Sequence, residues 1–332
     1  MRRNPAVVLV VSLAVLVAAI ALGVSVGTDP VSLGRALSDA TSRDHDVVFA
    51  VRLPRVLLGA VAGAGLGIVG ASLQALLRNP LAEPFVLGVS GGSALGATLA
   101  ILVGFSGATW LGASLVPLAA FVGGVAATAL VHVFASASRE ARATSFLLAG
   151  VIVNAIASAA ITFLKTLVTP AKAQELLNWL MGFLEIPDIR GLAVLSVYVA
   201  IGVGLLLYDA ARLNVLALGD DAAEHLGVRV RGVELRALLA SSLVVGAITS
   251  VTGLIAFVGL VAPHIVRRLF GADTRIVMPA SLGFGGALLV VCDLVSRASF
   301  RWVHIEPPVG AVTALVGGPL FLVLLLRTSR RA

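Results

Sequence analysis

The chain has 332 residues, of which 59% are hydrophobic and 12% charged, and its mean hydropathy is +1.05. Soluble domains carry about 45–50% apolar and about 25% charged residues, so a soluble fold is excluded. A formal net charge of +7 would suit nucleic acid, but aromatics make up only 5%, too few for base-stacking platforms, and the arginines sit singly or in pairs at the ends of apolar runs, where they set orientation in a membrane.

Met1-Arg2-Arg3 precedes an apolar run from Ala6 to Val26. A signal-peptide core is about 7–15 residues long, so this longer run reads as an uncleaved first span. Further runs cover Val56–Leu77, Phe85–Gly104, Leu111–Phe134, Phe146–Val168, Leu192–Tyr208, Ala237–Val266, Ile276–Ser296 and Pro307–Leu326. Several reach the roughly 20 residues that cross a hydrocarbon core as a helix, and none alternates as a membrane β-strand would. The 237–266 run is too long for one ordinary span. Thr252-Gly253 and Pro263-His264 both suit a break in it. A single crossing there would put Arg267, Arg268, Arg275, Arg327, Arg330 and Arg331 outside. One full span plus a short second helix puts them inside, as the positive-inside rule favours. The expectation is an all-α polytopic membrane helix bundle of about ten transmembrane helices, one domain over 1–332, with both termini cytoplasmic. Phe85-Val86-Leu87-Gly88-Val89 is echoed in Phe257-Val258-Gly259-Leu260-Val261, a faint sign of the inverted repeats common in transporters.

The polar features follow in chain order. Arg52 and Arg55 flank Pro54 on the predicted outer side, and Arg297 follows Asp293 at the outer end of the ninth span. Such arginines either snorkel to headgroups or pair with carboxylates of a partner. Gly59, Gly63 and Gly67 recur every four positions, as do Gly88, Gly92 and Gly96, leaving helix faces bare enough for close packing. Arg78-Asn79-Pro80-Leu81-Ala82-Glu83-Pro84 is a polar break in which two prolines discourage helix. Irregular backbone at that depth is either an ordinary turn or a constriction on a path. The loop 139–145 ends in Thr144-Ser145, whose hydroxyls could cap a helix start. Gln74 and Asn154 are expected to bond across helices, and Asp293 to pair with Arg297 one turn on. The polar segment 209–236 predicts a short cytoplasmic helix, with Asp221 and Glu224 as a capping box and Gly227 as its left-handed stop. Cys292 reads as a small buried hydrophobe, and His264 as structural rather than metal-binding.

The Asn-Pro-Leu-Ala-Glu-Pro run, Thr144-Ser145 before Phe146-Leu147-Leu148-Ala149-Gly150, the Leu218-Gly219-Asp220 to Leu226-Gly227 segment and Gly259-Leu260-Val261-Ala262-Pro263-His264 resemble the FecCD-type permease subunits of ABC importers for ferric siderophores, haem and cobalamin. The resemblance runs from about Arg52 to Leu326 and implies the type II ABC importer permease fold. It implies a cytoplasmic gate at Asn79, Leu81, Thr144 and Ser145. It implies coupling to an ATPase through Leu218, Gly219, Asp220, Asp221, Ala223, Glu224, Leu226 and Gly227. Docking of a binding protein is implied at Arg52, Arg55 and Arg297. The implied partners are a second copy of the chain, two ATP-binding cassette ATPase subunits, a periplasmic or lipid-anchored substrate-binding protein, a metal-chelate substrate and membrane lipid, with no nucleic acid. No cofactor, metal or catalytic residue is expected. Asn178-Trp179-Leu180-Met181-Gly182-Phe183-Leu184-Glu185-Ile186-Pro187 departs from the family's usual Gly-Ser/Gly-rich ending after Met-Gly, so this loop does not identify the substrate. A ferric siderophore leads by its frequency in the family.

The only lysines, Lys165 and Lys172, lie near no Gly-x-x-x-x-Gly-Lys-Ser/Thr pattern, so the usual nucleotide cradle is missing and, if transport is ATP-driven, hydrolysis falls to another polypeptide. An ion-driven secondary transporter is the alternative. It would need acidic or histidine sites at mid-span, for which Asp293 is the one good candidate.

Overall fold

The computed structural model describes residues 4–28, 30–85, 88–104, 109–110, 113–137, 142–185 and 189–329. Its helices, in order, are α1 (Pro5–Ser25), α2 (Leu33–Ser38), α3 (Arg43–Asp46), a π-helical turn (Val47–Arg52), α4 (Leu53–Leu76), α5 (Val89–Leu102), α6 (Leu115–Ala137), α7 (Arg142–Thr166), α8 (Pro170–Met181) and α9 (Ile189–Tyr208). After these come α10 (Ala210–Leu216), α11 (Asp220–His225), α12 (Val230–Thr252), α13 (Val258–Phe270), α14 (Thr274–Val303) and α15 (Val309–Ser329). The only strands among the described residues are β1 (Thr109–Trp110) and β2 (Ala113–Ser114), an antiparallel pair with Thr109 opposite Ser114.

Among the described residues, seven helical stretches are long and apolar enough to cross a membrane, namely α1, Arg43–Leu76, Leu118–Ala135, Thr144–Thr166, α9, α12 and α14. Two shorter apolar helical stretches, Val89–Leu102 and Val309–Leu322, add to these among the described residues. The long 237–266 run divides as its length requires, but at one site. Helix α12 ends at Thr252, Gly253 takes φ 67°, and α13 starts after Phe257. Pro263 does not break the chain, because it lies inside α13. The second span also starts earlier than its apolar run suggests. Pro54 has no N–H for the preceding turn, and the backbone just before it widens into the π-helical turn rather than ending.

Helix α4 is the centre of the bundle and runs along α14. Lipid offers no hydrophobic drive between helices, so close packing and interhelical hydrogen bonds hold them. Gly63 and Gly67 of α4 face the backbone of Gly285 and the carbonyl of Ser281, with no room between for a Cβ. Further along the same face of α4, Gly70 meets the carbonyl of Gly259 in α13. Gly92 and Gly96 of α5 meet the backbone of Gly123 and Ala119 in α6 in the same way. Gly88 departs from this pattern, being the left-handed N-cap of α5. Ser242 of α12 donates to Thr128 of α6 at 2.7 Å, a contact worth about 0.6 kcal/mol between membrane helices.

The two segments 85–89 and 257–261 each lead into a helix, although their left-handed residues fall at different positions of the echo. Both α5 and α13 follow an irregular segment, and both have left-handed N-caps, Gly88 (φ 83°) and Phe257 (φ 68°).

Candidate functional site

The segment after α4 is held by its own short bonds. Arg78 takes the left-handed conformation at φ 51°. The Asn79 N–H donates to the Gln74 carbonyl at 3.2 Å and the Ala82 N–H to the Asn79 carbonyl at 3.1 Å. Asn79 Oδ1 accepts the Leu81 N–H at 2.9 Å, an Asx turn. The two predicted gate residues of this segment therefore share one turn, and both are half-buried. Glu83 is buried beyond the turn, and its Oε1 accepts the N–H of Phe257, the N-cap of α13. Burial pushes the Glu83 carboxyl up to about 7, while the bond from Phe257 pulls the other way.

The predicted coupling segment folds as two helices, α10 and α11. Buried Asp209 ties its start to the bundle by accepting Arg212 Nη1 at 2.8 Å and both Nε and Nη2 of Arg236, at 2.7 and 2.9 Å. Arg212 also lies over the Tyr208 ring, 4.5 Å from its centre. Asn214 Oδ1 accepts the Thr274 N–H at 2.9 Å at the start of α14. The capping box does not form, because Gly219 (φ 119°, ψ 157°) is the N-cap of α11 and Asp221 already lies in its first turn. Asp220 and Asp221 instead meet the positive end of the helix dipole. Gly227 (φ 81°) closes α11 in a left-handed turn, with its N–H to Glu224 O and the Val228 N–H to Ala223 O, both at 2.9 Å. Ala223 is buried, while Leu218 and Leu226 are 70% and 65% exposed. Asp221, Glu224 and Gly227 are exposed with them. Arg78 Nη2 donates to Asp220 Oδ1 at 3.3 Å, joining this segment to the one after α4.

Thr144 and Ser145 lie inside the first turn of α7 rather than capping it, because the helix begins at Arg142. The rest of that loop, 138–141, lies outside the described residues. Thr144 is exposed, whereas Ser145 is buried with no hydrogen-bond partner for its Oγ among the described residues. Ser145 lines one end of an apolar cleft of about 550 Å³ between α5, α6 and α7, with Gly96, Leu130, Leu148 and Ile152.

At the opposite end of the bundle three arginines gather around the last turn of α1. Arg52 Nη1 donates to the carbonyls of Val24 and Ser25, both at 3.2 Å. Arg297 donates to those of Gly23 and Val26, both at 3.0 Å, and Arg301 to that of Gly27 at 2.9 Å. A helix end leaves four carbonyls without partners and carries partial negative charge, and the guanidinium groups answer both. Asp293 bridges Arg55 Nε at 2.9 Å and Arg297 Nε at 2.8 Å, and Glu306 accepts from Arg55 Nη1 at 3.1 Å. Of the three predicted docking arginines, Arg52 and Arg297 are buried against α1, and Arg55 is the most accessible.

Gln74 Nε2 donates to the Gly259 carbonyl at 3.2 Å, and its Oε1 accepts from Arg267. Asn154 of α7 accepts the Gly91 N–H at 3.1 Å and donates to Phe85 O at 2.6 Å, capping α5 from another helix. Sequence reading missed the capping roles of Glu83 and Asn154. The left-handed start of α5, with Gly88 unable to cap it, is the signal that a cap must come from elsewhere. Cys292 is buried, and no group of three metal-ligating side chains occurs among the described residues.

A bundle of this kind, with long apolar helices and a charged helical segment at one end, is that of a multi-pass membrane protein. The model of the FecCD transport family matches residues 14–327. The hemin transport system permease protein HmuU of Yersinia pestis is 37% identical over 83% of this chain and 82% of its own length. The cobalamin import system permease protein BtuC of Halobacterium salinarum is 39% identical over 86% of this chain and 75% of its own. A solved structure described as an ABC transporter of metal-chelate type in an inward-facing conformation superposes with TM-score 0.83 at 30% identity, covering 97% of this chain and 99% of its own. The chain belongs to the FecCD family of ABC permeases, and its fold is that of the type II importer permease.

Proposed function

We propose that this chain is the permease subunit of an ATP-driven importer that carries a metal chelate, a ferric siderophore first, across the bacterial cytoplasmic membrane. Two copies form the path along their two-fold axis. Two ATPase subunits bind the inner end of the bundle, where α10 and α11 lie, and a periplasmic or lipid-anchored binding protein docks at the end bearing Arg52, Arg55 and Arg297. Both chain termini then lie in the cytoplasm. Transport proceeds by alternating access, nucleotide biasing a two-state bundle. Asn79, Leu81, Thr144 and Ser145 are the inner gate.

The family match over residues 14–327 carries this reading. The exposed Leu218 and Leu226 flanking acidic α11 support the ATPase contact, since apolar side chains on a charged helical segment suit a protein groove. Asp293 is paired with Arg55 and Arg297, which leaves it poorly placed as an ion site for gradient-driven transport. Haem or cobalamin is the second reading of the cargo, favoured by the names of the two relatives above.

The cargo is tested by titrating the partner binding protein with ferric siderophores, haem and cobalamin. Tight binding of a ferric siderophore alone is expected, and selective binding of haem or cobalamin moves the assignment to the second reading.

A further inference from the structure

We propose that the segment 77–84 is a lever between α11 and α13, and that Arg78 is the positioning residue through which movement of α11 reaches the gate. The inference rests on the reading that α10 and α11 bind an ATPase.

Besides the burial of Leu77 and Ala82 in the core, two side-chain hydrogen bonds tie the segment to other elements. At one end Arg78 Nη2 donates to Asp220 Oδ1, the first residue of α11, at 3.3 Å. The same guanidinium lies over Gly219, where a Cβ would stand 3.6 Å from Arg78 Nη1. At the other end Glu83 holds the Phe257 N–H at the start of α13. Between them lies the turn made by Asn79 and Leu81. A displacement of α11 must therefore either break the Arg78–Asp220 pair or drag the turn with it.

Backbone strain marks the same two points. Three non-glycine residues among those described have positive φ, namely Arg78, Phe257 and His304. Two of the three are the attachment points of this segment. Such conformations persist only where the surroundings over-determine them, and they gather at switch regions. The ion pair is a poor candidate for a purely stabilising role, since its side chains are 40% and 33% exposed and exposed pairs add little to stability. Its position gives it direction instead. It joins α11 to the gate segment, whereas α10 is fastened separately, through Asp209 and Asn214, to α12 and α14.

The test uses the full complex of permease, ATPase and binding protein in proteoliposomes, loaded with a radiolabelled ferric siderophore and read as uptake per ATP hydrolysed. Arg78→Gln is expected to co-purify with the ATPase and hydrolyse ATP at the wild-type rate, with uptake per ATP lowered about fivefold or more, the lower edge of ordinary coupling between sites. Arg78→Lys should recover most of the loss, and Arg78→Asp with Asp220→Arg should exceed either single variant. A wild-type ratio in Arg78→Gln overturns the inference, as does a loss explained entirely by failure to bind the ATPase. Wild-type permease that does not co-purify with the ATPase overturns the underlying reading instead.

Discussion

Pro263 has no N–H to give the Gly259 carbonyl four residues earlier in α13, and Gln74 donates to that carbonyl from α4 at 3.2 Å. The same amide accepts from Arg267. Gln74→Leu removes both partners while keeping the volume, and an unmet buried polar group costs about 1–3 kcal/mol. Thermal unfolding in detergent should show a loss of that order, and a wild-type midpoint would contradict this role. Glu83 gives a pH signature. Its carboxyl is raised from 4.5 to about 7 by burial, so between those values the folded chain holds a proton that the unfolded chain has released. Its contribution to stability is therefore full below about pH 4.5, declines as pH rises to about 7 and is flat above, a change of up to about 3 kcal/mol. Glu83→Gln keeps the oxygen that accepts from Phe257 and should flatten that part of the profile of midpoint against pH. An unchanged slope would assign the titration to another group.

At the scale of elements, two devices hold the bundle. Glycines let α4 lie against α14 and α13 at backbone contact, and arginines close the open end of α1. Gly67→Val would drive a side chain into the Ser281 carbonyl, and overpacking of this kind costs about 1–3 kcal/mol. Gly204→Val in α9, with no atom within 4 Å of the added Cβ, should leave the midpoint unchanged. Equal effects at both sites would argue against the glycine seam. Arg297→Leu should speed hydrogen exchange in the last turn of α1, and protection equal to wild type would mean that water serves those carbonyls as well. The spacing of Gly63 and Gly67, the break after Thr252 and the stop at Gly227 are legible in the sequence because each is a local rule. The capping of α13 by Glu83, of α5 by Asn154 and of α1 by Arg52 and Arg297 is not, since each partner comes from a distant part of the chain. For the same reason Arg52 and Arg297 read as outward-facing cations until α1 is seen beside them. The Asp221–Glu224 capping box misleads because Gly219 already supplies the turn into α11.

Over the whole molecule, the family match, the superposition on a solved ABC transporter and the all-helical bundle with its seven candidate spans among the described residues agree on a permease. The chain has no phosphate loop of its own, and Arg78 links its α11 to the segment after α4. A body built this way should do nothing until another protein pushes on α11. The most direct measurement is uptake of a labelled ferric siderophore into proteoliposomes holding the purified permease, with the ATPase and binding protein supplied or withheld. Accumulation only when ATPase, ATP and binding protein are all present is the predicted result. Accumulation by the permease alone, driven by a proton or sodium gradient, would contradict the account.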